Sequence, residues 1–199
     1  MTFSLAEGEF LVKTARKVIE KYLETGERAK VEVGEKFKKK LGVFVTLESH
    51  PQKELRGCIG YPYPTEPLIT ALTNAAISAA VHDPRFPPVS KEEFERLVVE
   101  ITVLTEPKPI GVKDRKDMPS KVKVGKHGLI IEYGPFSGLL LPQVAVEYRW
   151  GAEEFLAETC WKAGLSPDMW LDKNALVYSF EGQIFSEESP NGKIVEKKT

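Results

Sequence analysis

The sequence predicts an α+β fold with a largely antiparallel sheet flanked by helices. Helix-type and strand-type patterns are mixed along the 199 residues, without the regular strand–helix–strand repeat that produces a parallel sheet. Two pairs of strand-like segments are each separated by a short turn, which is typical of antiparallel hairpins. Hydrophobic residues make up 42% of the chain and charged residues 29%, the composition of a folded domain. We therefore expect a single domain over residues 1–199.

The first predicted element is a helix with a clear start and end. Ser4 and Glu7 have the spacing of a capping box, and apolar residues then recur at helical intervals along one face. Gly26 suits the end of this helix. Residues 27–40 are highly charged with few apolar positions, which indicates a surface connection.

A hairpin and a buried helix are predicted next. Residues 42–47 are mostly β-branched or aromatic, as in strands, and a polar turn joins them to residues 55–60. The prolines within residues 61–64 end the second strand because proline has no amide hydrogen to donate. Thr65 then begins a helix that continues through Val81. Because this helix is nearly uncharged, we expect it to be buried on most sides.

The middle of the chain combines one short helix, one strand and one irregular segment. Ser90 and Glu93 form a second capping-box pattern, which predicts a helix as far as about Arg96. Residues 97–105 have the composition of a strand. Residues 109–126 are rich in Lys and weakly patterned, so they are predicted to connect two subdomains.

The last third is predicted to contain a strand pair, two helices and a final strand. These elements span, in order, residues 129–133, 138–141, 142–148, 152–163 and 176–185. Gly164 has the left-handed position that commonly follows a helix. The tail from Ser186 to Thr199 is polar and is not assigned an element.

Composition excludes several classes of protein. The formal net charge of −1 gives the whole chain no drive toward nucleic acid or anionic lipid. No stretch approaches the roughly 20 apolar residues of a membrane helix, and the N-terminus does not read as a secretion signal. Two cysteines do not make a disulfide framework, so we expect a reduced, cytoplasmic setting and no membrane partner. The abundance of Lys and Glu, with few Asn and Gln, is typical of proteins from organisms that grow hot.

The segment Leu55-Arg56-Gly57-Cys58-Ile59-Gly60 is the most suggestive chemical feature. Its glycines permit positive φ or the close approach of a ligand, and a nearby guanidinium favours the thiolate form of cysteine. The segment therefore predicts either a reactive thiol or an anion site made of backbone amides and Arg56. The alternative is a bulged strand in which Cys58 is a small buried apolar residue.

A second candidate region is the proline-rich loop over residues 82–88. Asp83 and Arg85 could line a cleft as an acid and an anion clamp, since ordered loops often carry function. The alternative is a turn in which these two residues pair with each other. His127 lies at the start of a predicted strand and is a further candidate. The histidines and cysteines lack metal-ligand spacing, so neither a metal site nor a cofactor is predicted.

The remaining aromatic, thiol and basic residues favour ordinary roles. Cys160 and the three tryptophans are predicted to fill the core and hinges rather than to stack on bases. Residues 36–40 and 108–126 are Lys-rich and form a possible RNA footprint, but aromatic residues do not alternate with them, and a solvated surface is the alternative. The chain has no phosphate-binding loop, dinucleotide-binding glycine pattern, nucleophile elbow or HExxH zinc motif.

Taken together, these residues resemble the AMMECR-domain family, named for the Alport syndrome, midface hypoplasia and elliptocytosis chromosomal region. The resemblance rests on the hexapeptide 55–60 and extends to further blocks in the family's order, which are residues 83–86, 101–105, 124–128, 141–145 and 150–165. It implies an α+β fold with a larger and a smaller subdomain. The smaller one is expected near residues 27–40 and 108–126, with a cleft between the two. The family has no established activity. Its association with a dioxygenase-like protein and a radical-SAM enzyme implies a modification pathway with such partners.

The leading hypothesis is a cleft protein that acts through a thiol. Cys58 would be the nucleophile with Arg56 as its electrostatic support, while Asp83 and His127 would serve as acid and base. A substrate would contact the residues around them, namely Gly57, Ile59, Gly60, Arg85 and Phe86. The alternative is a non-catalytic module that binds a small molecule, a protein or RNA through the hexapeptide and the Lys-rich surface. A third possibility is that the hexapeptide is purely structural.

Overall fold

A computed structural model describes residues 2–197, and the chain divides into two compact units. Of the described residues, the first unit contains 2–104 and 183–197, and the second is Thr105–Gly182. The helices are α1 (Leu5–Thr25), α2 (Leu68–Val81), α3 (Lys91–Phe94), α4 (Pro142–Glu147) and α5 (Ala152–Lys162). The strands are β1 (Val43–Ser49), β2 (Leu55–Tyr61), β3 (Leu97–Leu104), β4 (Lys108–Pro109), β5 (His127–Tyr133), β6 (Phe136–Leu140), β7 (Leu176–Glu187) and β8 (Ile194–Lys197). All of the pairings described below are antiparallel, which confirms the predicted fold class.

The sheet of the first unit is covered by two helices. Strand β1 pairs with β2 on one side and with β3 on the other, and the last part of β7 pairs with β8. Helices α1 and α2 contact each other and the strands, and their apolar residues join one core with the strand residues Val43, Val45, Leu47, Val99 and Ile101. This arrangement gives the β1–β3 sheet one face toward the helices and one face away from them.

Helix α1 begins and ends as predicted. The Glu7 amide donates to the Ser4 hydroxyl, and the Glu7 carboxylate accepts from the Ser4 amide at 2.7 Å, which completes the capping box. Gly26 follows the helix with a φ of 71°, a left-handed conformation that glycine adopts without steric cost. The segment 27–40 does run along the surface, but Phe37 packs against the core from a short 3-10 helix over Glu35–Lys38.

Helix α2 is buried on most sides, as predicted, but it starts three residues later. Pro67 is extended and caps the helix, and the Leu68 amide donates to the Lys39 carbonyl at 2.9 Å. Lys40 also forms a bridge with Pro67. The prediction from Thr65 was wrong because this pairing with residues 39–40 holds Pro67 in an extended conformation, so the helix begins only at Leu68.

Helix α3 has only half of the predicted capping box. The Ser90 hydroxyl accepts from the Glu93 amide at 3.2 Å, so the N-terminal cap is present. The Glu93 carboxylate, however, is bound by Arg56 instead of returning to the Ser90 amide. A long-range ion pair therefore replaces the local contact, and the helix ends at Phe94.

A buried ion pair joins α1 to the end of β7. Arg16 is only 4% exposed, and its Nε donates to the Glu187 carboxylate at 2.6 Å. Arg16 also donates to the Leu97 carbonyl at 2.7 Å, and Glu187 accepts from the Val99 amide at 3.0 Å. These extra hydrogen bonds offset the cost of removing two charges from water.

The second unit is built around a hairpin and two helices. Strand β5 pairs with β6 across a turn at Gly134, where φ is 57°, and with the first part of β7, which also pairs with β4. Helix α5 contacts β5 and β6, and Gly164 after it has a φ of 75°, as predicted. The core contains mainly apolar residues from these elements, among them Leu129, Ile131, Phe155, Leu156, Cys160 and Trp170.

Two segments contain structure that the sequence patterns did not indicate. Residues 109–126 hold a 3-10 helix, Arg115–Lys121, and they contribute the buried Met118 and Val122 to the second core. The polar tail forms β8, in which only Ile194 is buried. Both segments have too few apolar residues to show a period. Within residues 2–197, no helix has the length and apolarity needed to cross a membrane.

Candidate functional site

Strand β2 carries the hexapeptide and packs closely against α2. A Cβ atom on Gly57 would lie 2.1 Å from the carbonyl oxygen of Ala79, and Ile59 packs against the core. Neither Gly57 nor Gly60 has positive φ, so the close approach is what requires a glycine at position 57. Because side chains alternate along a strand, Cys58 lies on the face turned away from α2.

Cys58 is paired with Thr46 of β1 in a regular part of the ladder. The Thr46 hydroxyl donates to the Cys58 Sγ at 3.3 Å, and the Cys58 side chain is half-buried. The register shift between β1 and β2 falls between Leu47, which pairs with Gly57, and Glu48, which pairs with Leu55, so the extra residue of the bulge is Arg56. The bulge is therefore displaced from the cysteine, and the account of Cys58 as a fully buried residue in a bulge is not supported.

The loop after α2 closes the outer edge of β2 at Cys58. The Cys58 amide donates to Asp83 Oδ2 at 2.8 Å, and Arg85 Nη2 donates to the Cys58 carbonyl at 3.1 Å. Both backbone groups of Cys58 thus point away from β1, which makes Thr46 and Cys58 a non-hydrogen-bonded pair with closely spaced side chains. The loop also protects an edge strand that would otherwise expose unpaired groups.

Asp83 and Arg85 pair with each other while they hold Cys58. Arg85 Nε donates to Asp83 Oδ1 at 2.9 Å, and Arg85 Nη2 donates to Asp83 Oδ2 at 2.7 Å. The Asp83 side chain is 2% exposed, whereas the Arg85 side chain is 53% exposed. The alternative interpretation of this loop, a turn in which Asp83 and Arg85 pair with each other, is present, and the same turn contacts Cys58.

The charges of this turn depend on each other. Hydrogen bonds from the Arg85 side chain and from the Cys58 and Arg85 amides hold the pKa of Asp83 well below its usual range, against the opposing effect of burial. The Asp83 carboxyl is therefore ionised at neutral pH, which favours a positioning role over proton donation. Asp83 in turn raises the pKa of Arg85, mainly through its hydrogen bonds with the guanidinium.

Arg56 has a different set of partners. Its Nε and Nη2 donate to the Glu93 carboxylate, and Nη2 also donates to the Pro87 carbonyl at 2.9 Å. The guanidinium groups of Arg56 and Arg85 lie 5.7 Å and 5.5 Å from the centre of the Phe86 ring. Phe86 is thus part of a cation–π cluster, and Arg85 rather than Arg56 is the cation that hydrogen-bonds to Cys58.

His127 lies in the second unit, at the start of β5. Its Nδ1 accepts a hydrogen bond from the Lys123 amide at 3.2 Å, so the proton of the neutral ring is assigned to Nε2. Burial lowers the pKa of His127 despite the opposing effect of Glu181. Its only basic nitrogen is therefore occupied by the backbone. The role of His127 as a base for Cys58 stays a prediction.

The two cysteines differ in their surroundings. Cys160 lies on α5 and is fully buried, as predicted, and desolvation raises the pKa of its thiol to about 11. Cys58 is half-buried beside a hydroxyl and a guanidinium. Within residues 2–197, no group of three or more His, Cys, Asp or Glu side chains is placed to hold a metal ion.

Sequence reasoning missed Thr46 and Glu93 as members of the site. The capping-box pattern explains Glu93 as a helix cap alone, and the composition of residues 42–47 indicates only that Thr46 lies in a strand. Only the register of the predicted hairpin could have indicated Thr46. That register pairs Thr46 with Cys58, 12 residues further along the chain.

The antiparallel sheet with its covering helices, and the hexapeptide 55–60 in β2, define a class of α+β proteins. A crystal structure of one such protein is known. The uncharacterized protein PH0010 from Pyrococcus horikoshii matches with a TM-score of 0.84 and 54% identity, over 96% of this chain and 97% of that one. The AMMECR1 family matches residues 12–185. This chain therefore belongs to the AMMECR1 family.

Individual relatives cover nearly the same length. Protein MJ0810 of Methanocaldococcus jannaschii is 55% identical over 98% of this chain and 97% of its own length. Protein PF1979 of Pyrococcus furiosus is 54% identical over 96% of this chain and 92% of its own length. These archaeal relatives agree with the composition typical of organisms that grow hot.

Proposed function

We propose that this chain acts through the Cys58 thiol in a modification pathway, as a thiol-dependent enzyme or an accessory component. Such a pathway would include the radical-SAM and dioxygenase-like partners that the family resemblance implies. The observation that carries the proposal is the position of Arg85, whose guanidinium is fixed by Asp83, donates to the Cys58 carbonyl at 3.1 Å and remains half-exposed. A fixed cation beside a thiol favours the nucleophilic thiolate.

The side chains around Cys58 have distinct roles in this proposal. Asp83 positions Arg85 and the backbone of Cys58, and the Thr46 hydroxyl orients the sulfur. The exposed part of Arg85 can hold a carboxylate or phosphate group of a substrate by charge-assisted hydrogen bonds. The proposed substrate is therefore an anionic molecule with a thiol-reactive centre.

The alternative is a non-catalytic module that presents the hexapeptide to a protein or to RNA. It has less support, because Asp83 and Arg85 already occupy the Cys58 amide and carbonyl. The Lys-rich segment 36–40 also offers a weaker RNA footprint than its sequence indicated, since Lys36 pairs with Glu7 and Lys38 with Glu35. This alternative predicts that Cys58→Ser is harmless.

The proposal is tested by the rate at which iodoacetamide alkylates Cys58 in the folded protein, read by mass spectrometry of the peptide that contains it. Replacing Arg85 with Gln removes the cation that is bound to the Cys58 backbone. We expect alkylation at pH 7 to slow by roughly five-fold, the effect of about 1 kcal/mol on the thiolate. Arg85→Lys, which keeps the charge, should recover part of the rate.

Arg56→Gln is the matched control. This residue is also an arginine that lies against Phe86, and it is two residues from Cys58 in β2, but its hydrogen bonds go to Glu93 and Pro87. The rate in this variant should stay within about two-fold of the wild type. Equal effects of the two glutamine variants, or an unchanged rate in Arg85→Gln, would contradict the proposed role of Arg85.

A further inference from the structure

The face of β1 and β2 that is turned away from the helices carries an aromatic ring next to Cys58. In the ladder between these strands Phe44 pairs with Gly60, and Thr46 pairs with Cys58. Because side chains alternate along a strand, Phe44 lies on the same face as Thr46, whose hydroxyl donates to the Cys58 sulfur. Gly60 is two residues from Cys58, a separation of about 7 Å along β2. The ring opposite Gly60 therefore borders the thiol.

The absence of a side chain at Gly60 allows this ring to lie flat on β2. A Cβ on Gly60 would be 2.2 Å, 2.4 Å and 2.7 Å from the Cδ1, Cγ and Cε1 atoms of Phe44. Since three neighbouring ring atoms are at similar distances, this position lies over the face of the ring rather than at its edge. One face of the ring therefore covers Gly60, and the opposite face is turned away from the sheet. Phe44 is half-buried, so part of its ring remains open.

The strand residues around the ring carry no charge. Directly across the strands from Phe44 are Gly60 on β2 and Thr102 on β3. Thr102 is 5% exposed, so it offers little polar surface. Glu48 is the acidic residue of β1 on this face, but it follows Thr46 and so lies on the opposite side from the ring. The side of the thiol that Phe44 occupies is therefore apolar and flat.

Two other charged groups lie at the ends of the cross-strand row that contains Cys58. Arg85 binds the Cys58 carbonyl at the outer edge of β2. Glu100 lies at the other end, on β3, and it is paired with Lys197. An anionic group held by Arg85 at the edge thus leaves the ring of Phe44 free to contact an uncharged part of the same molecule.

We propose that Phe44 determines the specificity of the Cys58 site by stacking on a planar aromatic group next to the thiol-reactive centre of the substrate. This inference rests on the proposed function of Cys58, and it adds the class of group that the substrate carries. Two aromatic rings in offset contact gain more than their buried area alone provides, whereas an aliphatic group gains only the area. The role of the ring also explains why position 60 is a glycine, because a side chain there would lift the ring from β2.

The test compares the rates at which N-phenylmaleimide and N-ethylmaleimide modify Cys58 in the folded protein, read by mass spectrometry of the peptide that contains it. In both reactions the thiolate sulfur adds to one carbon of the maleimide double bond, and the other carbon takes a proton from water. Dividing the ratio of the two rates by the same ratio for glutathione removes the intrinsic difference between the reagents. We expect this normalised ratio to be about five, the effect of one aromatic contact.

Variants at two positions assign the preference to the ring. Phe44→Leu keeps an apolar side chain without a flat face, and it should bring the normalised ratio to within about two-fold of one. Phe44→Tyr keeps the ring and should retain most of the preference. Gly60→Ala leaves Phe44 in place but puts a methyl group under its ring, so it should also lower the ratio. Phe10→Leu is the matched control, because Phe10 is 36% exposed on α1, which packs on the other face of the sheet.

The outcomes separate this inference from the proposed function. A phenylalanine that only shields the backbone of Gly60 would lower the melting temperature in Phe44→Leu and leave the ratio unchanged, which would overturn the inference. A wild-type ratio near one, or an equal loss in Phe10→Leu, would also overturn it. If N-ethylmaleimide modifies Cys58 readily while the ratio is near one, the proposed function stands and only the stacking role is wrong. If neither reagent modifies Cys58 in the folded protein, both fail. Should Phe44→Leu not fold, the wild-type ratio and Gly60→Ala still decide.

Discussion

Asp83 and Arg85 show how single residues define the candidate site. The sequence placed them in an ordered loop and offered two interpretations, a salt-bridged turn or residues that line a cleft. The structure contains the turn, and it also shows that the turn binds both backbone groups of Cys58. Loop composition predicted the local pair, but the contact with Cys58 joins residues 25 apart in sequence and has no local signal.

Replacing Asp83 with Asn should destabilise the protein in a pH-dependent way. The carboxylate is buried and accepts charge-assisted bonds, so we expect the free energy of unfolding at pH 7 to fall by about 2 kcal/mol. The measurement is chemical denaturation of both proteins at several pH values.

The sign of the pH dependence follows from the depressed pKa of Asp83. Its contribution to stability is present above the pKa of an unfolded aspartate, near 4, and is lost as pH falls from there toward the lower pKa of the folded state. The difference between wild type and Asp83→Asn should therefore be largest at neutral pH and shrink below about pH 4. A difference that grows toward low pH would contradict this account.

Strand β2 and helix α2 form the frame that holds Cys58. Gly57 allows the strand backbone to lie directly against the Ala79 carbonyl, and this contact brings the end of α2, with Asp83 just beyond it, to the edge of β2. The strand and the helix were each predicted from composition and periodicity. Their close approach was suggested only by the presence of glycine.

Gly57→Ala should therefore be costly. The added Cβ would meet a backbone carbonyl at 2.1 Å, and neither partner can move without shifting an element, so we expect a loss of about 3 kcal/mol. Thermal or denaturant unfolding measures it. Gly111→Ala is the matched control, because no atom lies within 4 Å of its added Cβ and its φ is not positive.

Gly60→Ala should destabilise the protein by an amount between those of Gly57→Ala and Gly111→Ala. Its Cβ would meet the ring of Phe44, a side chain that is able to shift. The order of destabilisation should be Gly57→Ala, then Gly60→Ala, then Gly111→Ala. If Gly57→Ala and Gly111→Ala are equally stable, β2 and α2 are not in close contact at Gly57, and this account of the glycine is wrong.

The elements that sequence analysis missed share a physical cause. Strand β8 and the 3-10 helix over Arg115–Lys121 bury few residues each, so hydrophobic periodicity is weak in both. The late start of α2 has another cause, since the pairing of Lys40 with Pro67 overrides local helix signals. Periodicity reports how one segment meets the core, whereas these features depend on contacts with distant segments.

At the scale of the whole molecule, the predicted α+β fold and the AMMECR1 family are both confirmed. Local sequence patterns do not predict contacts such as the buried ion pair of Arg16 and Glu187, because these residues are 171 positions apart.

The central claim is that Cys58 is an accessible, functional thiol in the folded protein. The most direct test is to follow the alkylation of both cysteines in the same sample between pH 6 and pH 11. Cys160 is the internal reference, because burial raises the pKa of its thiol to about 11. We predict that Cys58 is modified in the folded protein at neutral pH, while Cys160 reacts only near pH 11 or after unfolding. If Cys58 is modified only when the protein unfolds, together with Cys160, the thiol is structural and the proposed function is wrong.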